Sequence, residues 1–178
     1  MARAATGAPS TLCEAFQATV ALHQEAVALR TWDGEVQVTW REYAQRAARI
    51  AAGLEALGVT RGETVALMLK NRPEFHLCDT AALHLGATPF SIYNTSAPEQ
   101  ITHLFTNAAN RVVICERQFL DRVLAAREGT SVERVVCIDG QSIRRSPPSV
   151  RFRCSSSKAA RASSTSKSAR VRSRPRMC

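Results

Sequence analysis

After Asp139 the sequence has no acidic residue, and after Gly140 it has no glycine. The 35 residues from Arg144 to Cys178 carry nine Arg and two Lys with no counter-charge, together with ten Ser and three Pro. The formal charge of +9 therefore misleads as an average. Residues 1–143 hold 13 basic against 15 acidic side chains. The body is nearly neutral, and the basicity sits in the tail. Phe152 is the one aromatic there, so base stacking is not supported and no specific nucleic-acid partner is expected. Eleven unopposed cations would attract any polyanion at low salt, without specificity.

Other absences bound the class. None of the six cysteines forms a C-x-x-C pair, and no His/Cys grouping has zinc spacing. Cys78, Cys115 and Cys137 sit in apolar runs and read as buried free thiols, which fits a reducing, cytoplasmic setting. The opening stretch MARAATGAPSTLCEAF has no apolar core of a secretory signal. No apolar run reaches the ~18 residues of a membrane span. No G-x-G-x-x-G follows a strand, so a dinucleotide fingerprint is excluded.

What is present is alternation. Thr11–His23 reads as an opening helix. Ala26–Arg30 and Glu35–Trp40 flank Asp33-Gly34 as a hairpin. Thr39 and Glu42 have capping-box spacing ahead of a helix with Tyr43, Ala47, Ile50, Leu54 and Leu57 on one face, and Gly58 can terminate it. Glu63–Lys70 is a buried-type strand. A mostly buried helix follows, with Asn71 as cap, Pro73 early and Gly86 as stop. Ala87–Tyr93 is a strand whose Pro89 belongs at a strand start or a sheet edge. Ser96 and Glu99 suggest a second capping box, over a helix burying Ile101, Leu104 and Phe105. Arg111–Glu116 is a strand, the stretch RQFLDRVLAARE a helix with Leu120, Val123 and Leu124 inward, and Glu133–Asp139 the last strand. Repeated strand–helix crossovers build a parallel sheet. The expected fold is α/β: a partial Rossmann-like, mostly parallel sheet with flanking helices from about Val27 to Asp139. The Ser/Arg-rich tail has too little apolar surface to offset backbone ordering and is expected to be disordered.

Residues Val38–Glu116 resemble the N-terminal part of AMP-forming acyl-CoA synthetases, the adenylate-forming ligases. The carriers are VTWREYAQRAARIAAGLEALG, RGETVALMLKNRPEF, ALHLGATPFSIYNTSAPEQI and the helix leading to VVICE. The wording SIYNTSAPEQITHL is similar to long-chain fatty-acid–CoA ligases. The resemblance covers about Thr11 to Gly140. It implies a two-step chemistry in which ATP and a carboxylate give an acyl-adenylate and pyrophosphate, and CoA then displaces AMP. It also implies ATP, Mg and CoA as cofactors of the parent family, and a fatty acid as substrate. The family's phosphate loop, ribose-binding acid and catalytic lysine all lie downstream of the matching region. No catalytic, cofactor-binding or metal-binding residue is therefore assigned in this chain. The stretch SSTSK (Ser163–Lys167) lacks the glycines by which a phosphate loop lets its backbone approach an anion.

On residue type alone, weaker candidates remain. His76 and His84 share a helix at a spacing of eight, not the i, i+4 of a metal pair, and His23 and His103 are isolated. Glu14 with Glu25, or Asp79 near Lys70, could form an acid–base pair, but no surrounding pattern supports either. RRSP (Arg144–Pro147) resembles a kinase site and stands without context.

The body uses Arg over Lys twelve to one and is rich in Ala, as a GC-rich gene encodes. Such a gene read out of frame gives Arg, Ser, Ala and Pro. The expected organisation is residues 1–143 as the N-terminal portion of the large domain of an AMP-dependent ligase, inactive alone, and residues 144–178 as a tail of out-of-frame sequence. The alternative is a non-enzymatic α/β module whose basic tail binds polyanions. Translating the nucleotide sequence in all three forward frames checks the first reading. A second frame should restore acidic residues, periodicity and a Ser/Thr/Gly-rich loop near codons 141–146, and no such frame would contradict it.

Overall fold

The computed structural model describes residues 8–139. The expectations for the tail, from its disorder to SSTSK and RRSP, lie outside the described residues.

Helix α1 (Leu12–Leu22) starts at Thr11, whose side chain accepts the Glu14 N–H. Strands β1 (Val27–Arg30) and β2 (Gln37–Thr39) pair antiparallel as the expected hairpin. Helix α2 (Trp40–Ala56) carries the Thr39/Glu42 capping box: Glu42 N–H donates to Thr39 Oγ1 at 3.2 Å and Thr39 N–H to Glu42 Oε2 at 2.9 Å. These two bonds satisfy donors that a helix start otherwise leaves open. There follow β3 (Thr64–Met68), α3 (Pro73–His84), β4 (Thr88–Ser91), α4 (Pro98–Ala108), β5 (Val112–Cys115), a 3₁₀ turn (Arg117–Phe119), α5 (Leu120–Ala126) and β6 (Arg134–Cys137).

Two expected caps are corrected, for one physical reason. The α3 cap is Arg72, not Asn71, and the α4 cap is Ala97, with Gln100 Oε1 accepting its N–H at 2.9 Å, in place of the Ser96/Glu99 box. Each helix has proline at its first position. Proline forces the residue before it into extended backbone, and Arg72 (φ −142°, ψ 160°) and Ala97 (φ −72°, ψ 156°) adopt it. The helix start is thus set by proline sterics one residue later than the side-chain signals suggest.

The four-stranded sheet is parallel throughout, in the order β4-β3-β5-β6. Pro89 lies on the edge strand β4. The Thr88 N–H donates to Glu63 O and the Ile92 N–H to Leu67 O, so by alternation the missing N–H of Pro89 faces outward and costs no ladder bond. Side chains alternate across the sheet into two cores. Ala66, Met68, Val113, Cys115 and Val135 meet Ile101, Phe105, Leu120 and Val123 from α4 and α5. Val65, Leu67, Val112, Ile114 and Val136 meet Leu54 of α2 and Cys78, Ala81 and Ala82 of α3. A third cluster joins α1 and the hairpin to α2 and α3. There Phe16 lies edge-on to Tyr43 (5.0 Å), and the Tyr43 hydroxyl bonds Thr80 Oγ1 (2.7 Å) and donates to the His76 carbonyl (3.0 Å).

Gly86 ends α3 with φ +71°, and a Cβ there would lie 2.9 Å from Arg61 Cγ. The Gly86→Ala variant should lose about 1–2 kcal/mol from left-handed backbone alone, with the Arg61 contact adding to it. Urea unfolding checks this; an unchanged midpoint would contradict it.

Candidate functional site

The order β4-β3-β5-β6 creates a reversal. The connection leaving β3 passes over the α2/α3 face, while that leaving β5 passes over the α4/α5 face. Neighbouring strands whose exits diverge open a crevice at their carboxyl ends, where ligands of open α/β sheets bind. In this chain that place is bounded by Leu69–Arg72 after β3, Glu116 and Arg117 after β5, and Asp139 after β6.

A set of charges fills it. Arg72, fixed by Pro73 at the start of α3, directs Nη1 to Asp139 Oδ1 (2.9 Å) and Glu116 Oε2 (3.4 Å), and Nε to Glu74 Oε2 (2.8 Å). Arg46 of α2 approaches Glu74 from the other side at 4.0 Å. Glu116 is 4% exposed. It accepts the Lys70 N–H on one oxygen and Gln118 Nε2 (2.9 Å) on the other, and Asp139 Oδ2 accepts the Arg117 N–H (2.9 Å). The exits of β3, β5 and β6 are thereby tied together. Burial pulls the Arg72 pKa down, but the Glu74 and Asp139 carboxylates outweigh it and hold the guanidinium above its ordinary value. Behind the clamp, burial, helped by Cys137, Asp139 and Glu116, pushes the Cys115 thiol up to about 12, which makes it a core group and not a nucleophile.

The crevice does not fit the phosphates of ATP. The segment after β3, Leu69-Lys70-Asn71-Arg72-Pro73, has no glycine for close backbone approach, and Pro73 removes an N–H from the first turn of α3. The Lys70 N–H is already committed to Glu116, and three carboxylates face the space. Beside it, at the ends of β3 and β4, lies a pocket of about 310 Å³ lined by Leu69, Ser91, Ile92, Tyr93 and Asn94. Arg122, with its guanidinium 5.2 Å from the Phe119 ring, donates to the carbonyls of Asn94 (2.8 Å) and Ser96 (3.2 Å) and holds the pocket's outer loop.

The weaker sequence candidates are not assembled into sites. His84 donates Nδ1–H to the Thr80 carbonyl (2.8 Å), accepts from Gln17 on Nε2 (3.0 Å) and meets Phe16 edge-on. His76 lies edge-on to its neighbour Phe75. Glu14 bonds Ser10, while Glu25 pairs with Arg41. Among the described residues no group of three or more His, Cys, Asp or Glu is placed to hold a metal, and no helix is long and apolar enough to cross a membrane. Cys78 and Cys115 are buried, Cys137 is half-buried, and none of the three is in a disulfide. Sequence reasoning missed the Arg72–Glu116–Asp139 clamp, although each of its members stands just beyond a strand.

Asp79 lies near His76, not in an acid–base pair with Lys70. Burial raises its carboxyl above the ordinary value, against the pull of His76. A carboxyl raised by folding binds protons more readily in the native state, so stability falls as pH climbs through the unfolded value, ~3.9. The Asp79→Asn variant should therefore melt higher than the parent at pH 7, with the gain gone below pH ~3.5. A gain of equal size at both pH values would contradict this origin.

A family model described as "AMP-binding enzyme" matches residues 16–169. The chain belongs to the AMP-binding enzyme family. The matched span runs past Ile143 into the Ser/Arg-rich stretch. The uncharacterized protein Rv1549 of Mycobacterium tuberculosis is 53% identical over 135 residues, covering 76% of each chain. Fatty acyl-CoA synthetase A of Dictyostelium discoideum is 29% identical over 56% of this chain and 15% of its own length. For 4-coumarate–CoA ligase CCL1 of Humulus lupulus the figures are 28%, 60% and 19%. Among solved structures, the putative long-chain-fatty-acid CoA ligase from Rhodopseudomonas palustris superposes with a TM-score of 0.68 and 28% identity, covering 74% of this chain and 34% of that one. The chain thus spans under a fifth of these two named AMP-binding ligases and about a third of the solved one. The parallel sheet and the ligase kinship expected from the sequence both hold.

Proposed function

We propose that this chain is the N-terminal portion of the large domain of a fatty-acid–CoA ligase and does not activate a carboxylate by itself. One observation carries the reading. Where an open α/β sheet would receive a ligand, Arg72 is already paired with Glu116 and Asp139, which supports a scaffold role over a phosphate site. Several apolar side chains stand in solvent, as expected of a surface that the rest of a larger domain would cover. Trp32 and Val36 lie on the hairpin, with Val27 on β1, Leu12 and Leu22 on α1, and Tyr93 at the pocket.

The parent reaction, in this reading, joins a long-chain fatty acid to CoA with ATP and Mg in the cytoplasm. The SIYNTSAPEQITHL wording supports a fatty acid, and a fatty acyl-CoA synthetase is matched alongside 4-coumarate–CoA ligases. In this reading residues 1–143 are the ligase portion and residues 144–178 an appended, out-of-frame tail; the boundary rests on the change in composition after Gly140, while the family match itself extends to residue 169.

ATP–pyrophosphate exchange on the purified chain, with saturated fatty acids and with 4-coumarate, tests the proposal. No exchange above a heat-killed control is expected, and clear exchange with either acid would overturn it. A saturable, salt-sensitive polyanion complex would instead favour the module with a basic tail.

A further inference from the structure

Cys115 and Cys137 stand side by side. β5 and β6 run parallel with Cys115 opposite Cys137 in register, and the Ile138 N–H donates to Cys115 O at 3.1 Å just beyond the pair. Register partners of a parallel pair face the same side of a sheet. The neighbouring partners show which side. Val113 and Val135 both enter the α4/α5 core, and Ile114 and Val136 both enter the α2/α3 core. By alternation both cysteines turn to the α4/α5 side, where Cys115 joins the core. Adjacent strands lie ~4.8 Å apart, within the roughly 4.4–6.8 Å between Cα atoms that a disulfide spans.

The two thiols differ in access: Cys115 is sealed and Cys137 is half-buried. Neither side chain is part of the Arg72 clamp. Yet Cys115 immediately precedes Glu116, and Cys137 stands two residues before Asp139. A link between them would fasten the same two strand exits from beneath.

We propose that Cys115 and Cys137 are a redox pair, closed to a disulfide by a small-molecule disulfide such as oxidised glutathione and reopened by free thiol. The Cys137 thiolate attacks one sulfur of the small disulfide, whose S–S bond breaks, and the thiolate that leaves takes up a proton. Cys115 then loses its proton to a base in the medium, its sulfur attacks Cys137 Sγ, and the second small thiolate leaves. Two protein thiols are oxidised, and one small disulfide is reduced to two thiols. The raised Cys115 thiol attacks nothing from solution, but a sulfur held on the next strand needs no encounter, and that placement offsets a scarce thiolate. The strand spacing exceeds the ~3.8 Å mean between Cβ atoms of a disulfide, so the closed bond is strained and easily reduced. Such bonds serve as reversible switches, not as permanent cross-links.

The test incubates the full 178-residue chain, folded and reduced, with oxidised glutathione, quenches by alkylation, and maps each of the six cysteines by peptide mass. The expected product is a Cys115–Cys137 link at least about tenfold more abundant than any other pair, with Cys78 still a thiol. The Ile138 amide should exchange at least about tenfold more slowly once the link closes, and dithiothreitol should restore the starting rate. Cys137→Ser should leave Cys115 unreacted, and Cys115→Ala should stop at a mixed disulfide on Cys137.

The proposal is overturned if Cys137 stays a thiol in the parent, if its mixed disulfide never closes, or if it links to Cys13, Cys154 or Cys178 instead. Loss of the Cys78 thiol at the same rate would overturn it too, by making the link a product of global opening. An unchanged Ile138 rate would remove the fastening of the strand exits.

Discussion

Arg72→Ala should destabilise the chain by about 2–4 kcal/mol. Removing one partner of a buried ion pair leaves the other charge uncompensated, and Glu116, 4% exposed, is that charge. The loss should fall short of the largest buried-pair values because Arg72 is a third exposed and Glu116 keeps the Lys70 N–H and Gln118. The effect belongs to a network: Arg72 also holds Asp139 and Glu74, so the exits of β3, β5 and β6 loosen together. A double-mutant cycle with Glu116→Ala isolates the pair. The double variant should lose clearly less than the sum of the singles, because removing both charges removes the uncompensated one. Strict additivity, or a loss under about 0.5 kcal/mol for Arg72→Ala, would reduce the clamp to ordinary surface charge.

Phe105→Ala should cost more, about 3–5 kcal/mol. Among the described residues Phe105 is the largest fully buried side chain, and it sits where α4 meets the sheet face shared with α5. Truncation removes its transfer free energy and leaves a cavity that Ile101, Val113 and Val123 fill only in part. Since domains of this size are stable by about 5–15 kcal/mol in total, the variant should sit near its unfolding midpoint in mild urea. Phe105→Leu should recover much of the loss. Equal loss for Leu and Ala would indicate that shape, not burial, dominates at this position.

The alternation of apolar runs and helical periods was enough to read the parallel architecture, because strands buried on both faces and helices with one apolar stripe differ in period. Pro89 also announced its edge. Helix starts were less legible. At α3 and α4 the polar residues Asn71 and Ser96 suggested caps, but the prolines one step beyond Arg72 and Ala97 decided the geometry. A local steric rule outranked a hydrogen-bonding preference. The clamp was not legible at all. Arg72, Glu116 and Asp139 are separated by 44 and 67 residues from Arg72. Their convergence follows from the strand order β4-β3-β5-β6, in which β5 inserts next to β3, and that order is not carried by any single segment.

The clamp bears on one central claim, that the described body is a ligase scaffold whose chemistry resides elsewhere in the family domain. The most direct test is ATP–pyrophosphate exchange by a chimera in which residues 16–139 of this chain replace the superposing segment of the Rhodopseudomonas palustris ligase. The account predicts exchange with the acyl preference of the host ligase, because the scaffold supplies fold and not reacting groups. A chimera that folds cooperatively yet shows no exchange would contradict it.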